Sequence, residues 1–240
     1  MTVTLDVWRV PPRAVPGALW RVARLPRALR RAGDVGFVKL LGTGRGSGFG
    51  ITAGDPCRWA ALTVWTGAPR PLVAFDRIAA AHCRLTLRPI AARGRWAGRE
   101  PFAAPTRRAA GPAAPSSMTA TSRAADDDGP VLVLTRARLR PSRAVPFWRA
   151  IGPVAAALPH ADGLLTAFGI GEAPIGFQGT VSVWAGGADV NAFAYRTAEH
   201  AAVVRATPER RWYAEELFAR LAVLDVTGDR EVIGWNAERA

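Results

Sequence analysis

Two ferredoxin-like βαββαβ units, joined in one chain as a pseudo-dimeric α+β barrel, are what three observations in the sequence predict. Apolar periodicity switches between the strand and helix patterns in the same order twice. Short pieces recur at matching places: Arg13-Ala14-Val15-Pro16 as Arg143-Ala144-Val145-Pro146, Gly42-x-Gly44 as Gly169-x-Gly171, and Val64-Trp65 as Val183-Trp184. Between the repeats, Gly98 to Gly129 turns to Pro, Ala, Ser and Thr and ends in Asp126-Asp127-Asp128, with too little apolar surface to pack alone. The expected division is 1–97, a linker at 98–129, and 130–240. In each unit both helices cover one face of an antiparallel sheet and leave the other bare. Two bare faces in one chain are buried by packing on each other.

The first half opens with a strand, Val3 to Val10, in which Val3, Leu5, Val7 and the Arg9 stem alternate with Thr4, Asp6 and Trp8. A helix follows from Pro16 to Ala32, kinked at Pro26 and stopped by Gly33. Next come a strand at Gly36–Leu41, a glycine-rich loop at Gly42–Asp55, a strand at Arg58–Thr66 and a turn at Gly67–Pro71. A helix at Leu72–Cys83 and a strand at Arg84–Ala91 complete the unit. The second half reads as strand Val131–Leu139, helix Val145–Leu158, strands Leu164–Gly169 and Gly179–Trp184, helix Ala192–Ala206 and a closing strand within Leu217–Val226. Phe75 and His82 recur at equal spacing as Phe193 and His200, which predicts one histidine at the same place in each half.

Composition narrows the function classes. The chain has 240 residues, 49% apolar and 8% aromatic, which is ample for a core. Its start carries no basic segment followed by an apolar run, and its longest charge-free stretch, Ala173 to Ala188, is broken by Pro174, Gly176, Gly179, Gly186 and Gly187. A cytoplasmic protein is expected. Cys57 and Cys83 lack metal-ligand spacing, so neither a disulfide framework nor a structural zinc site is predicted. The formal charge is +13, but Lys39 is the only lysine and the arginines are spread along the chain, so no nucleic-acid partner is expected. The densest set, Arg21, Arg24, Arg27, Arg30 and Arg31, reads first as a solvated helix face and second as a surface for anionic membranes. Gly44, Gly46, Gly48 and Gly50 have neither the Lys-Ser/Thr ending nor the Rossmann context of a nucleotide loop.

The densest chemistry lies between Asn191 and Leu221. A helix over Ala192–Ala206 puts Phe193, Thr197, His200 and Val204 on or near one face. The ordinary reading of such a histidine is a hydrogen-bonded core residue. Glu215 and Glu216 are expected to pair with Arg196, Arg205, Arg210 or Arg211.

Three segments resemble the spheroidene monooxygenases of carotenoid biosynthesis: GxGxGFGITAGDPxRWAxLTVW at Gly44–Trp65, FGIGEAPIGFQGTVSVW at Phe168–Trp184, and FAYRTAEHAAVVRATPERRWYAEELFAR at Phe193–Arg220. The likeness spans both halves and omits the linker and the extreme C-terminus. It implies a haem protein that uses dioxygen and reduced ferredoxin to oxidise a carotenoid methylene to a ketone. Under that resemblance His200 becomes the axial iron ligand, Phe193, Thr197 and Val204 shield the porphyrin, and Arg196 is a candidate partner for a propionate. His82, His160, Cys57 and Tyr195 are weaker candidates for the iron. The implied partners are an apolar small molecule, a ferredoxin-like electron donor, and an anionic membrane held weakly and reversibly; the oligomeric state stays open. Other readings remain: a haem dehydratase or peroxide-consuming enzyme, a cofactor-free oxygenase on the same barrel, and a non-catalytic haem or lipid carrier.

Overall fold

The computed structural model of the chain describes residues 1–44, 54–103, 129–140, 142, 152, 156–172, 179–196 and 213–236. Alternating and continuous apolar runs form eight strands: β1 (Thr2–Arg9), β2 (Val35–Gly44), β3 (Gly54–Trp65), β4 (Ala81–Gly94), β5 (Val131–Leu139), β6 (Leu164–Gly171), β7 (Gly179–Trp184) and β8 (Tyr213–Gly228). Helices α1 (Val15–Arg31), α2 (Val73–Asp76) and α3 (Gly187–Arg196) lie outside them. The strands close into one barrel in the order β1-β3-β2-β6-β7-β5-β8-β4, with every pair antiparallel. Cut between the halves, that ring reads β4-β1-β3-β2 and β8-β5-β7-β6, the ferredoxin-like order twice.

Two unequal seams join the halves. Strands β2 and β6 meet only at Gly42↔Gly171 and Thr43↔Ile170, whereas β4 and β8 run together from Cys83↔Gly228 to Gly94↔Leu217. Duplication is also recorded in backbone irregularities. A register shift interrupts β2 between Val35 and Phe37, and a matching one interrupts β6 between Leu164 and Thr166. Gly94 and Gly228 leave the long seam with φ of 90° and 85°. A Cβ on Gly94 would strike the Glu216 carbonyl, and one on Gly228 the His82 carbonyl. Only glycine passes there at low cost.

Both faces of the sheet are buried, which explains strands with little polar alternation. Inward-facing Val3, Leu5, Val7, Leu62, Leu85, Leu87, Leu132, Leu134, Phe168, Val181 and Leu221 fill the barrel. The chain then stoppers each end: Trp96 and Phe102 follow β4, and Val232 and Ile233 follow β8. The lumen is therefore a packed core, as eight-stranded barrels of this width tend to be. Among the described residues no helix is long and apolar enough to cross a membrane.

Several elements differ from the sequence reading. The apolar run expected as a helix over Leu72–Cys83 gives only the single turn α2, and β4 begins at Ala81. His82 is therefore a strand residue. Trp8↔His82 in the first half corresponds to Ala137↔Glu216 in the second, so the counterpart of His82 is Glu216 and not His200. The equal spacing of the two histidines follows the β3 and β7 match, Trp65 with Trp184, and is lost afterwards. Strand pairing on both sides, to β1 and β8, outweighs the helical preference of Ala79-Ala80-Ala81. Strand β8 extends back to Tyr213, so WYAEELFAR is mostly strand. The glycine-rich loop expected from Gly42 is shorter at both ends, since β2 runs to Gly44 and β3 starts at Gly54. Helix α3 begins at Gly187, before the expected Ala192.

Candidate functional site

The lumen is filled, and the outer faces of the two sheets differ from each other. On the first face, Trp8 stacks on Phe75 at 4.7 Å and on His82 at 5.2 Å, and its indole donates to Asp76 Oδ1 at 2.7 Å. Asp6 is fully buried beside it, accepting from Thr4 Oγ1 at 3.1 Å and Arg84 Nε at 2.6 Å, with His82 Nε2 2.9 Å away. Helix α1 completes the cover with Ala18 and Leu29 over Val35, Val38 and Leu40. This side is closed by bulky groups and a satisfied polar network.

The second face has the same strand grid and different contents. Trp65 pairs with Thr2 and Val35 where Trp184 pairs with Val131 and Leu164, and stepping along the strands matches the remaining positions. Ala137 stands where the first half has Trp8, Gly169 where it has Leu40, and Ala167 where it has Val38. Thr135 replaces Asp6 and Phe218 replaces Arg84. The large stack and the Asp6–Arg84 pair are gone, leaving small residues beside Trp184, Val133 and Phe218, with Glu216 and Arg220 on the same side of β8. Helix α3 covers one margin: Val190 is buried there, and Phe193 lies 5.2 Å from Trp184 between ring centroids.

Of the sequence-predicted site residues, Phe193 is placed on this outer face, packed on Trp184. Arg196 ends α3, and its side chain, with Thr197, His200 and Val204, lies outside the described residues. Of the weaker ligand candidates, His82 is tied to Asp6 on the opposite side of the barrel, and His160 is exposed on a 3-10 turn at Leu158–His160. Cys57, half-buried on β3, donates its backbone N–H to Asp55 Oδ1 at 3.0 Å. Among the described residues no group of three or more His, Cys, Asp or Glu side chains could hold a metal ion.

Polar clusters mark the two barrel ends. At one, buried Arg58 donates from Nε to Thr43 Oγ1 at 2.8 Å and from Nη2 to the Gly44 carbonyl, and its guanidinium lies 5.1 Å over Phe168. At the other, buried Arg136 bonds Glu215 and, at 2.9 Å, Glu172, while its Nε has no partner. Glu215 also accepts from the Ala97 and Gly98 N–H groups at 3.0 and 2.7 Å, and Glu172 from Trp96 Nε1 at 2.6 Å and from Lys39. Glu215 was expected to serve the arginines of the Arg196–Arg211 segment; its described partner is Arg136, because the β5–β8 register sets Arg136 beside it inside the barrel end. Burial pushes Glu172 up, but Lys39, Trp96 and Arg136 outweigh it and hold the carboxyl below its ordinary value. Glu215 is lowered likewise, with burial opposed by the Gly98 and Ala97 N–H groups and Arg136. These groups line an open depression of about 570 Å³ with Arg138. Its paired charges suit a latch on the Trp96–Gly98 turn and offer little to an apolar molecule.

The chain resembles known proteins over most of its length. It is 32% identical over 222 residues to the spheroidene monooxygenase of Rhodobacter capsulatus, covering 87% of this chain and 85% of that one. It is 34% identical over 200 residues to the spheroidene monooxygenase of Rubrivivax gelatinosus, covering 80% and 70%. No family model matches the chain. Among solved structures, a ferredoxin fold protein from Listeria monocytogenes 4b F2365, related to antibiotic biosynthesis monooxygenases, aligns over 91% of this chain and 94% of that one. With 9% identity and a TM-score of 0.28, that likeness adds nothing to the strand order above. At the identity and coverage of the first two relatives, the chain belongs to the spheroidene monooxygenase family and is an oxidoreductase.

Proposed function

We propose that the chain is a haem-dependent monooxygenase that oxidises an elongated, carotenoid-like substrate with dioxygen and electrons from an external, ferredoxin-like donor. The observation that carries the location is the exchange of Trp8, Leu40 and Val38 for Ala137, Gly169 and Ala167. A flat macrocycle needs a floor without protruding side chains, and the small residues at these three positions support such a floor on the second outer face. The substrate class comes from the relatives, both spheroidene monooxygenases. His200 is the proposed axial donor, because it follows α3 by four residues in the sequence, within the family-like segment, and imidazole is a common haem ligand. Phe193 and Trp184 would shield the ring edge from water, and Arg196 would meet a propionate. Haem, when bound, supplies the oxygen-activating chemistry; the chain contributes ligand, orientation and a dry apolar surface.

The test is spectroscopic first and catalytic second. Protein expressed with haem available is expected to show a strong Soret band, and with a reductant to oxidise a carotenoid. His200→Ala is expected to lose most of the band while keeping its circular dichroism, with recovery on added imidazole. Ala137→Trp, which restores the first half's plug, is expected to lower haem affinity at least tenfold, while His82→Ala leaves the band in place. A colourless wild type that still turns over carotenoid would replace this reading with a cofactor-free oxygenase. A coloured protein inert toward carotenoids would move it to another haem chemistry.

A further inference from the structure

Helix α1 buries Ala18 and Leu29 and packs mainly on β2, the strand that meets β6 at the short seam. Its opposite side is unusual for a solvated helix. Trp20 is 57% exposed and Leu19 48%, with Val73 of α2 at 48%. Arg21 ties the two helices together by donating to the Ala74 carbonyl at 2.6 Å, on the flank of α1 away from Leu19. Arg24, Arg27 and Arg31 follow Trp20 along the same stripe, all exposed, and the helix contains no Asp or Glu. None of these three makes an ion pair with a described residue; Arg24 instead lies 4.9 Å over the Trp20 ring.

We infer that this face of α1 is a docking surface for an anionic lipid bilayer. Guanidinium groups match lipid phosphates by paired hydrogen bonds, and each basic residue near such a surface adds attraction. An exposed tryptophan beside such arginines inserts at headgroup depth, where indole is favoured. A purely acidic protein partner would account for the arginines but would leave the exposed Trp20 in their stripe without a role. Because α1 packs on β2, the strand at the short seam, the helix would lie between the lipid and that seam. The carotenoid reading gives this docking its purpose, since such a substrate partitions into lipid; the surface stands on its own residues, and vesicle binding is measured apart from turnover.

Flotation of the full-length protein with phosphatidylglycerol–phosphatidylcholine vesicles, against phosphatidylcholine alone, tests the surface. Binding is expected to the anionic vesicles and to fall as salt rises. Replacing Arg24, Arg27 and Arg31 together by Ser should weaken it by about fivefold per arginine, roughly a hundredfold in all. Trp20→Ala should weaken it at every salt concentration, leaving the salt dependence unchanged. The charge-matched triple Arg93→Ser, Arg95→Ser and Arg230→Ser, exposed residues on other elements, should lose far less. Equal losses from the two triples would reduce the effect to net charge and overturn the inference. So would equal binding to both vesicle types, or an α1 triple that binds vesicles normally but accepts electrons from an acidic donor more slowly. Normal vesicle behaviour without carotenoid turnover would sink the catalytic reading and leave the docking surface standing.

Discussion

Arg136 shows what a buried charge does in this barrel. Its side chain is 8% exposed, and it joins Glu215 on β8 to Glu172 just beyond β6. Removing one member of such a set leaves the others desolvated without compensation. Arg136→Met is expected to cost about 3 kcal/mol of unfolding free energy, read from urea denaturation at neutral pH. The pH dependence has a definite sign. Glu172 and Glu215 titrate below the ordinary 4.5 in the folded chain, so the unfolded chain binds more protons in that window. Their stabilisation is full above about 4.5 and is lost as pH falls through the folded values. The urea midpoint of the wild type should therefore drop between pH 5 and pH 3 more than that of Arg136→Met, and parallel curves would refute the latch. Cys83 is a contrasting case: burial pushes its thiol up to about 11, so it behaves as a neutral core side chain.

Helix α1 is built from good helix formers, Ala, Leu and Arg, with a proline in its first turn and Arg30 and Arg31 at the end where positive charge meets the helix dipole. Gly33, at φ 78°, turns the chain out toward β2. Within this helix Pro26 is a defect: it removes the N–H that would bond the carbonyl four residues earlier. Because the surrounding turn is already helical, Pro26→Ala is expected to raise stability by about 1–3 kcal/mol, seen as a higher thermal midpoint. A fall in the midpoint would show that packing of Leu25 and Leu29 depends on the proline-imposed bend. Helix α2 makes the opposite point. Phe75 is fully buried against Trp8, so four helical residues suffice to seat it, and the chain then joins β4.

The whole molecule is a barrel that neither half can close. The first half alone would expose Val3, Leu5, Val7, Leu62, Leu85 and Leu87 on its inner face and leave β2 and β4 as open edges. Residues 1–103 expressed as a fragment are expected to associate, as a two-copy barrel or as aggregate, in size-exclusion chromatography with light scattering. A stable monomer would show that the seams contribute little. Fusion into one chain has a further effect, visible in the pairs Trp8 with Ala137 and Asp6 with Thr135. One outer face carries a bulky aromatic and ionic cluster at these positions, and the other carries small or uncharged side chains.

The repeat of βαββαβ was legible because each half must bury one sheet face and cover the other, and that demand writes apolar periodicity into the residues themselves. Val64-Trp65 and Val183-Trp184 lie at equivalent places for this reason. The family was legible in the segments from Gly44 to Trp65, Phe168 to Trp184 and Phe193 to Arg220. The match of His82 to His200 was misleading, since equal spacing along the chain says nothing about where a helix gives way to a strand; two-sided pairing of β4 settled that. The set of small residues at Ala137, Ala167 and Gly169 was unreadable for a related reason. Small residues carry no signal in periodicity, and their meaning appears only when strand register sets them opposite Trp8, Val38 and Leu40. The Arg136 latch joins β5, β8, the end of β6 and the turn after β4, and contacts of such long sequence separation exist only once the barrel has closed.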